Sequence, residues 1–433
     1  MTLERRRTLV RIAGVSLCLF YGAASQAQNA GDYAFGDWNG EREKLIDKGI
    51  NLNVSYGSEI AHNQTGGDKR LTRNAGQLVL DGQFDLYKLF GWNGATFRMT
   101  ITERDGNNLN QDAGINSLMQ SQEVYGRNQT WRLTQFWYGQ DLFDQKLQIK
   151  VGRLAVGEDF SSFECTFMSL AFCGDQSGNL VGYYWYNSPV SQWGALAQVN
   201  FTKEVFLKVG AYQVNPSYLE TRHTLAINPG GTTGALFPVE LGWIPTLAGD
   251  LKGSYVVGGW YTNTRQADVY SDVNEDPAGY TGLDFRQRTG AYGGYITLAQ
   301  QLTHGTGAEE NSGLRGFFNA TQADRSTSTN DREIALGAIY HGTFASRPSD
   351  EIGLALGVTH VNSRVADYRR ERNRVTGSDL ATQGNEFTAE LFYGVQVARW
   401  LSVRPNVQWI GHPGGYTDRA DAYVIGIKSS ISF

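Results

Sequence analysis

The chain has 433 residues, a formal charge of −5 at pH 7, 52 glycines, only 9 prolines and 12% aromatic residues. The acidic balance argues against nucleic acid as a partner. Past the leader described next, no apolar stretch approaches the ~18 residues of a membrane helix, which excludes a helical membrane protein.

The chain opens with a positive head, Arg5, Arg6, Arg7 and Arg11, and an apolar run from Ile12 to about Ala24. Small residues follow at Ser25 and Ala27. This is the layout of a secretory signal peptide over 1–27, cleaved after Ala27. Cys18 lies in the apolar run and leaves with it, so the exported chain keeps Cys165 and Cys173. In an oxidising compartment these two are expected to pair as a disulfide. Residues 28–48 read as a short periplasmic segment. Its part from Asp37 to Lys48 forms a helix capped by Asp37 and ended by Gly49. Residues 49–433 read as one domain.

From residue 50 the pattern has a period of two. In "INLNVSYGSEI", Ile50, Leu52, Val54, Tyr56 and Ile60 share one face, against Asn51, Asn53, Ser55, Gly57 and Glu59. Sixteen such segments are predicted: 50–62, 75–87, 94–105, 131–141, 146–154, 191–201, 204–214, 236–243, 251–261, 289–301, 313–322, 332–341, 350–362, 384–398, 401–411 and 421–433. "GYYWYN" (182–187) stays in a loop, because a seventeenth strand would make the count odd. Short connections such as 142–145, 202–203 and 399–400 alternate with longer ones: 106–130, 155–190, 215–235, 262–288 and 363–383. Short turns at one end and long loops at the other are the asymmetry of an outer-membrane barrel. In the final strand, Tyr423, Ile425, Ile427, Ile431 and Phe433 face away from Val424, Gly426, Lys428, Ser430 and Ser432. An aromatic at the end of an alternating strand suits a membrane interface. The predicted fold class is therefore all-β: a transmembrane antiparallel barrel of about sixteen strands.

A barrel of that size normally encloses water. Parity then assigns the wall of the channel. Arg98 and Arg104 point inward with Thr96, Thr100 and Thr102, and Arg404 with Ser402, Asn406 and Gln408. Asp81, Asp85, Glu240, Glu386 and Glu390 point inward as well. Both signs line the wall, whereas an anion pore would be biased to one. Mixed guanidinium, carboxylate and amide groups suit the hydroxyls of a neutral polyol. The connection 155–190 carries Glu158, Asp159, Phe163, Phe167, Phe172 and the run Tyr183, Tyr184, Trp185, Tyr186. A loop this apolar is expected to fold into the pore and constrict it. There its aromatics, Trp185 included, either stack on sugar rings or pack the loop on the wall.

No enzyme constellation is evident. The histidines are scattered, and neither a metal-spaced pair nor a nucleophile elbow occurs. No cofactor or metal is implied. "DVNEDP" (272–277) opens like a calcium loop but has Pro277 and Leu283 where glycine and glutamate belong. "RRERNR" (369–374) is a basic external cluster that either meets lipopolysaccharide phosphates or stays solvated.

Four separated blocks, "GDWNGEREKLIDKGI" (36–50), "FWYGQDLFDQKLQIKVGRL" (136–154), "FECTFMSLAFCGDQ" (163–176) and "PNVQWIGHPGG" (405–415), resemble the OprB-type carbohydrate-selective porins. The resemblance covers essentially the whole mature chain. It implies a sixteen-stranded outer-membrane barrel passing glucose and related small sugars by facilitated diffusion. It also implies an inward-folded third external loop with charged and aromatic residues at the constriction. The alternatives are a general or anion-preferring porin using Arg98, Arg104 and Arg404, or a plugged structural or adhesive barrel. Outer-membrane lipid and lipopolysaccharide are the expected surroundings, and the barrel works as a monomer or homotrimer.

Overall fold

The computed structural model describes residues 30–305 and 312–433, so the leader call falls outside the described residues. Seventeen strands occur among them: β1 (Ile50–Thr65), β2 (Thr72–Asp85), β3 (Ala95–Gly106), β4 (Trp131–Leu142), β5 (Leu147–Leu154) and β6 (Gln192–Asn200). Next come β7 (Val205–Val214), β8 (Gly234–Trp243), β9 (Thr246–Leu247), β10 (Leu251–Asp272), β11 (Phe285–Gln301) and β12 (Gly313–Ala323). The last are β13 (Asn330–His341), β14 (Glu351–Val361), β15 (Asn385–Ala398), β16 (Leu401–Gly411) and β17 (Ala422–Ser432). Strand β9 is a two-residue stub in a turn. The other sixteen pair antiparallel with their chain neighbours, and the ring closes where Tyr56 of β1 sits between Leu78 of β2 and Ile431 of β17. A closed ring has no free edge, which is what hydrocarbon demands of a strand-built span.

Alternation decides which way each strand faces. On β8, Phe237, Val239, Leu241 and Trp243 are exposed while Pro238, Glu240 and Gly242 are buried. On β17, Tyr423, Ile425 and Ile427 are exposed and Val424, Gly426 and Lys428 are buried. The molecule is apolar outside and polar inside, the inverse of a soluble barrel.

All sixteen expected strands are present, and "GYYWYN" lies in a loop. The loop expected over 262–288 is mostly strand, because β10 runs on to Asp272 and β11 begins at Phe285. Here the alternation fades for a physical reason. Beyond the bilayer the outward positions Asn263, Arg265 and Ala267 have no lipid to face, so nothing selects apolar residues there. The basic loop expected from 363 begins as a helix, Ser363–Thr376, docked on this hairpin. Arg364 pairs with Asp268 at 3.1 Å, Tyr270 donates to Glu371 at 2.8 Å, and the Tyr368 and Phe285 rings meet at 5.1 Å. Asp272, the first residue of "DVNEDP", caps its own turn instead of facing a cation. Its carboxylate accepts from the backbone N–H groups of Asn274 and Asp276 at 2.8 and 3.0 Å and from the Thr281 hydroxyl at 2.6 Å.

The N-terminal helix is shorter than expected, Glu41–Asp47, and Asp37 does not cap it through its side chain. Gly40 holds the cap position at φ +84°, in the left-handed region that favours glycine. Asp37 contributes its carbonyl, which accepts from the N–H groups of Gly40 and Arg42. Gly49 ends the helical segment as expected. Its φ is +95°, and a Cβ there would sit 2.8 Å from the Asp85 carbonyl oxygen. Arg42 latches the segment to the barrel. Its guanidinium lies over the Tyr33 and Trp38 rings, 3.5 and 4.3 Å from their centroids, and donates to the Phe433 oxygen at 2.8 Å.

Two long connections, 107–130 and 155–191, fill the inside. Phe167 packs on Phe392 and Phe317, at ring separations of 4.9 and 6.0 Å. Trp185 packs on Trp260 and Tyr295, at 5.3 and 6.2 Å. Wall carboxylates grip the loop backbones. Glu390 accepts from the Met168 and Ser169 N–H groups at 2.8 and 2.7 Å. Glu386 accepts from Leu118, Met119 and Gly414 at 2.7, 3.0 and 2.7 Å. Lys428, only 1% exposed, joins both loops to the seam. Its Nζ lies 3.4 Å from Glu59 of β1, 3.2 Å from Glu123 of the first loop, and 2.8 Å from the Phe167 carbonyl of the second. Removing one partner of a buried ion cluster leaves uncompensated charge, at a cost of about 3–5 kcal/mol. Lys428→Met is therefore expected to lower barrel stability by about that amount, read as a fall in the urea midpoint of unfolding in lipid vesicles. An unchanged midpoint would mean that the cluster holds nothing.

Candidate functional site

Two chambers lie between the inner loops and the wall. The upper one, toward the long loops, has a volume of about 270 Å³ and is lined by Arg104, Glu123, Arg127, Glu158 and Asp175 among others. The lower one is about 570 Å³ and reaches the short turns at Gly94, Asp144 and Thr202. Lys150, Asp159, Lys208 and Glu240 line it. Glu158 and Asp159 are consecutive yet line different chambers.

The partition is built by side-chain hydrogen bonds around a short helix, Val156–Asp159. Gln135 of β4 donates to Glu158 and accepts from the Trp137 indole N–H at 2.6 Å. Below it, Lys150 pairs with Asp159 at 2.7 Å and Lys208 with Glu240 at 2.9 Å. Glu240 also accepts from the Ser161 N–H at 2.6 Å and the Tyr295 hydroxyl at 2.9 Å. The Cys165–Cys173 disulfide closes a small ring in the same loop, and Cys173 faces the upper chamber. Among the described residues, the one trio of close metal-ligand types is Glu123 with these two cysteines, and the disulfide takes both sulfurs.

The ten residues read from parity and loop position separate into distinct roles. Arg104 and Glu158 line the upper chamber, and Asp159 and Glu240 the lower. Arg104 is held by Gln77 at 2.7 Å. Asp81 pairs with Arg98 at 2.8 Å and accepts from Thr100 at 2.5 Å, while Arg404 pairs with Glu351 at 2.7 Å. Glu386 and Glu390 are loop anchors, not open-path groups. Trp185 is sealed, with its indole N–H donated to Asp175 at 2.9 Å, so it packs the loop and has no face free for a sugar. Asp85 has left the lumen to cap the helix Leu86–Phe90. Sequence reading missed Lys150, Lys208, Gln135 and Trp137. Parity carried the lysines: Lys150 alternates with Ile149 and Val151, and Lys208 with Leu207 and Val209.

A model of the family described as "Carbohydrate-selective porin, OprB family" matches residues 69–433. The chain belongs to the OprB family. It is 41% identical to Porin B of Pseudomonas aeruginosa over 454 aligned positions, covering 99% of each chain. It is 36% identical to QuiX of Acinetobacter baylyi, covering 93% of each. The high-pH structure of Pseudomonas putida OprB superposes with a TM-score of 0.91 at 41% identity, over 94% of this chain and all of that one. An OprB-family member is a carbohydrate-selective porin, and the family's members are channels rather than enzymes.

The charge of this porin's upper chamber depends on pH. Burial pushes the Glu158 carboxyl up to about 7, with Arg98 opposing and Asp159 reinforcing the rise. Burial also raises Asp175 to about 7, against hydrogen bonds from Gly178 and Trp185. Each group carries its negative charge above that pH and loses it as the pH falls. Cation preference should therefore fall between about pH 8.5 and about pH 5.5, read as a shrinking reversal potential under a salt gradient. Glu158→Gln should flatten about half of that change, since Asp175 titrates over the same range, and an equal slope in the variant would remove Glu158 from the path. The disulfide ring should constrain the loop by about 2–3 kcal/mol. Cys165→Ser is expected to leave the barrel folded and make single-channel current noisier or larger. An unaltered trace would make the clamp incidental.

Proposed function

We propose that this porin sits in the outer membrane of a Gram-negative cell and passes small neutral sugars such as glucose by passive diffusion. The reading places the short turns in the periplasm and the long loops outside. Its leader would be cleaved after Ala27, and the basic helix Ser363–Thr376 would face lipopolysaccharide. Each barrel holds both chambers, so a monomer suffices and a homotrimer would carry three parallel paths.

One observation carries the sugar reading. Each chamber is lined by cations and carboxylates in mixture, Arg104 and Arg127 with Glu123, Glu158 and Asp175 above, and Lys150 and Lys208 with Asp159 and Glu240 below. Such a wall offers many donors and acceptors with no strong field of one sign, which suits hydroxyls and disfavours an anion-preferring pore. The extent to which the loops fill the lumen favours the plugged barrel as the competing reading. In liposomes, glucose should drive swelling well above the rate for a dicarboxylate of similar size. Equal rates would remove the selectivity, and no swelling with no single-channel steps would leave a plugged barrel.

A further inference from the structure

The disulfide ring carries a ligand set that the closed bond hides. Cys165 and Cys173 belong to the inner loop 155–191, and Glu123 to the inner loop 107–130. Their two sulfurs and a carboxylate oxygen lie within 4.8 Å of one another. Glu123 and Cys173 line the upper chamber, so the trio is approached from the water path. The backbone holds it in place without help from the S–S bond. The Phe163 N–H donates to the Gly174 carbonyl at 3.2 Å, and the Cys173 N–H to the Leu170 carbonyl at 3.3 Å, so the ring is closed a second time by hydrogen bonds. The Glu123 N–H donates to the Met168 carbonyl at 3.0 Å, which ties one loop to the other beside the trio. Glu390 grips the Met168 and Ser169 N–H groups from the wall. A cation stands ready as well. The Lys428 Nζ lies 3.2 Å from Glu123 Oε1 and 3.6 Å from the Cys165 sulfur. Glu123 meets it through Oε1, which leaves Oε2 for another partner.

We propose that reduction of the Cys165–Cys173 bond turns this ring into a zinc site at the edge of the upper chamber. Small thiols are the reductant. Two of them leave joined as their own disulfide, and the protein disulfide gains two electrons and two protons. Zinc then takes both sulfurs as thiolates and one Glu123 oxygen, and the two thiol protons leave to water. Cysteine sulfur and carboxylate oxygen are both zinc ligands, and a tetrahedral ion with three protein ligands keeps its fourth position for a water of the chamber. Two thiolates and a carboxylate exceed the charge of the metal by one negative unit, which the Lys428 ammonium offsets. The bound ion takes space in a chamber of about 270 Å³ and draws both inner loops onto one centre. The chamber therefore narrows when thiol and zinc are both present and keeps its width when either is missing. This device is independent of which solute the lumen passes.

The full porin is treated with an excess of a small thiol, which is then removed. Thiol titration counts the freed sulfurs, and circular dichroism checks that the barrel is intact. Cobalt(II), which occupies zinc sites and reports thiolate ligands by a charge-transfer absorption, should bind the reduced protein and be displaced by zinc. Zinc should then lower the single-channel current of the reduced protein and leave that of the disulfide form unchanged. Cys173→Ser should abolish the cobalt absorption, and Glu123→Gln should weaken zinc binding by about tenfold or more. Cys173→Ser keeps the test intact if Glu123→Gln fails to insert. A reduced, folded barrel with no thiolate absorption would overturn the site, as would unchanged zinc affinity in Glu123→Gln. Equal zinc binding by the disulfide form would place the metal on other residues and overturn it too. So would sulfurs that excess thiol cannot free in the folded barrel.

Discussion

A single ammonium group holds the inside of this barrel to its seam. Lys428 projects from β17 next to the closing strand β1, and it gathers Glu59, Glu123 and the Phe167 carbonyl around one charge. Such a cluster is weak evidence for stability, since burying ions costs several kcal/mol each. Its effect is positional. Glu123 belongs to one inner loop and Phe167 to the other, so both loops share one reference point on the wall. Glu386 and Glu390 extend the same device with backbone N–H groups as partners. The polar face that the alternation turns inward thus does two jobs: it lines water and it grips loops.

The grip explains the form of the lumen. Sixteen strands would by themselves enclose a wide aqueous channel. Here loop aromatics occupy much of the section, and Trp185, Phe167 and Phe172 are sealed against the wall. Among the spaces that remain are a smaller chamber above and a larger one below, with the Gln135–Glu158 contact between them. The disulfide narrows the conformational range of the loop that forms the partition. The space left for a solute is set less by barrel width than by the loops that fill it.

Most of the barrel was legible in the sequence because each membrane-crossing strand meets lipid on one face, and lipid enforces alternation. Where lipid ends, legibility ends too, and the outer halves of β10 and β11 looked like loop. The sidedness of inward residues was also legible. Arg104, Glu240, Glu386 and Glu390 all face inward, as parity requires. Parity gives a side but no partner. That Glu386 and Glu390 hold loop backbone, and that Trp185 packs instead of facing solute, depends on contacts between segments far apart in the chain. No local pattern encodes these. Lys150 and Lys208 were readable by the same parity, yet their pairing with Asp159 and Glu240 needed the folded loop.

Glu158 and Asp159 open onto different chambers, although consecutive Cα atoms are only about 3.8 Å apart. A voltage applied across a channel falls most steeply where the aqueous path is narrowest. Part of that drop falls across the partition between the chambers, where Gln135 and Glu158 meet. A charged solute gains or loses about 2.3 kcal/mol per unit charge for each 100 mV over the whole path. A neutral sugar crosses the same path without responding to voltage, so a potential changes ion flux and leaves sugar flux alone.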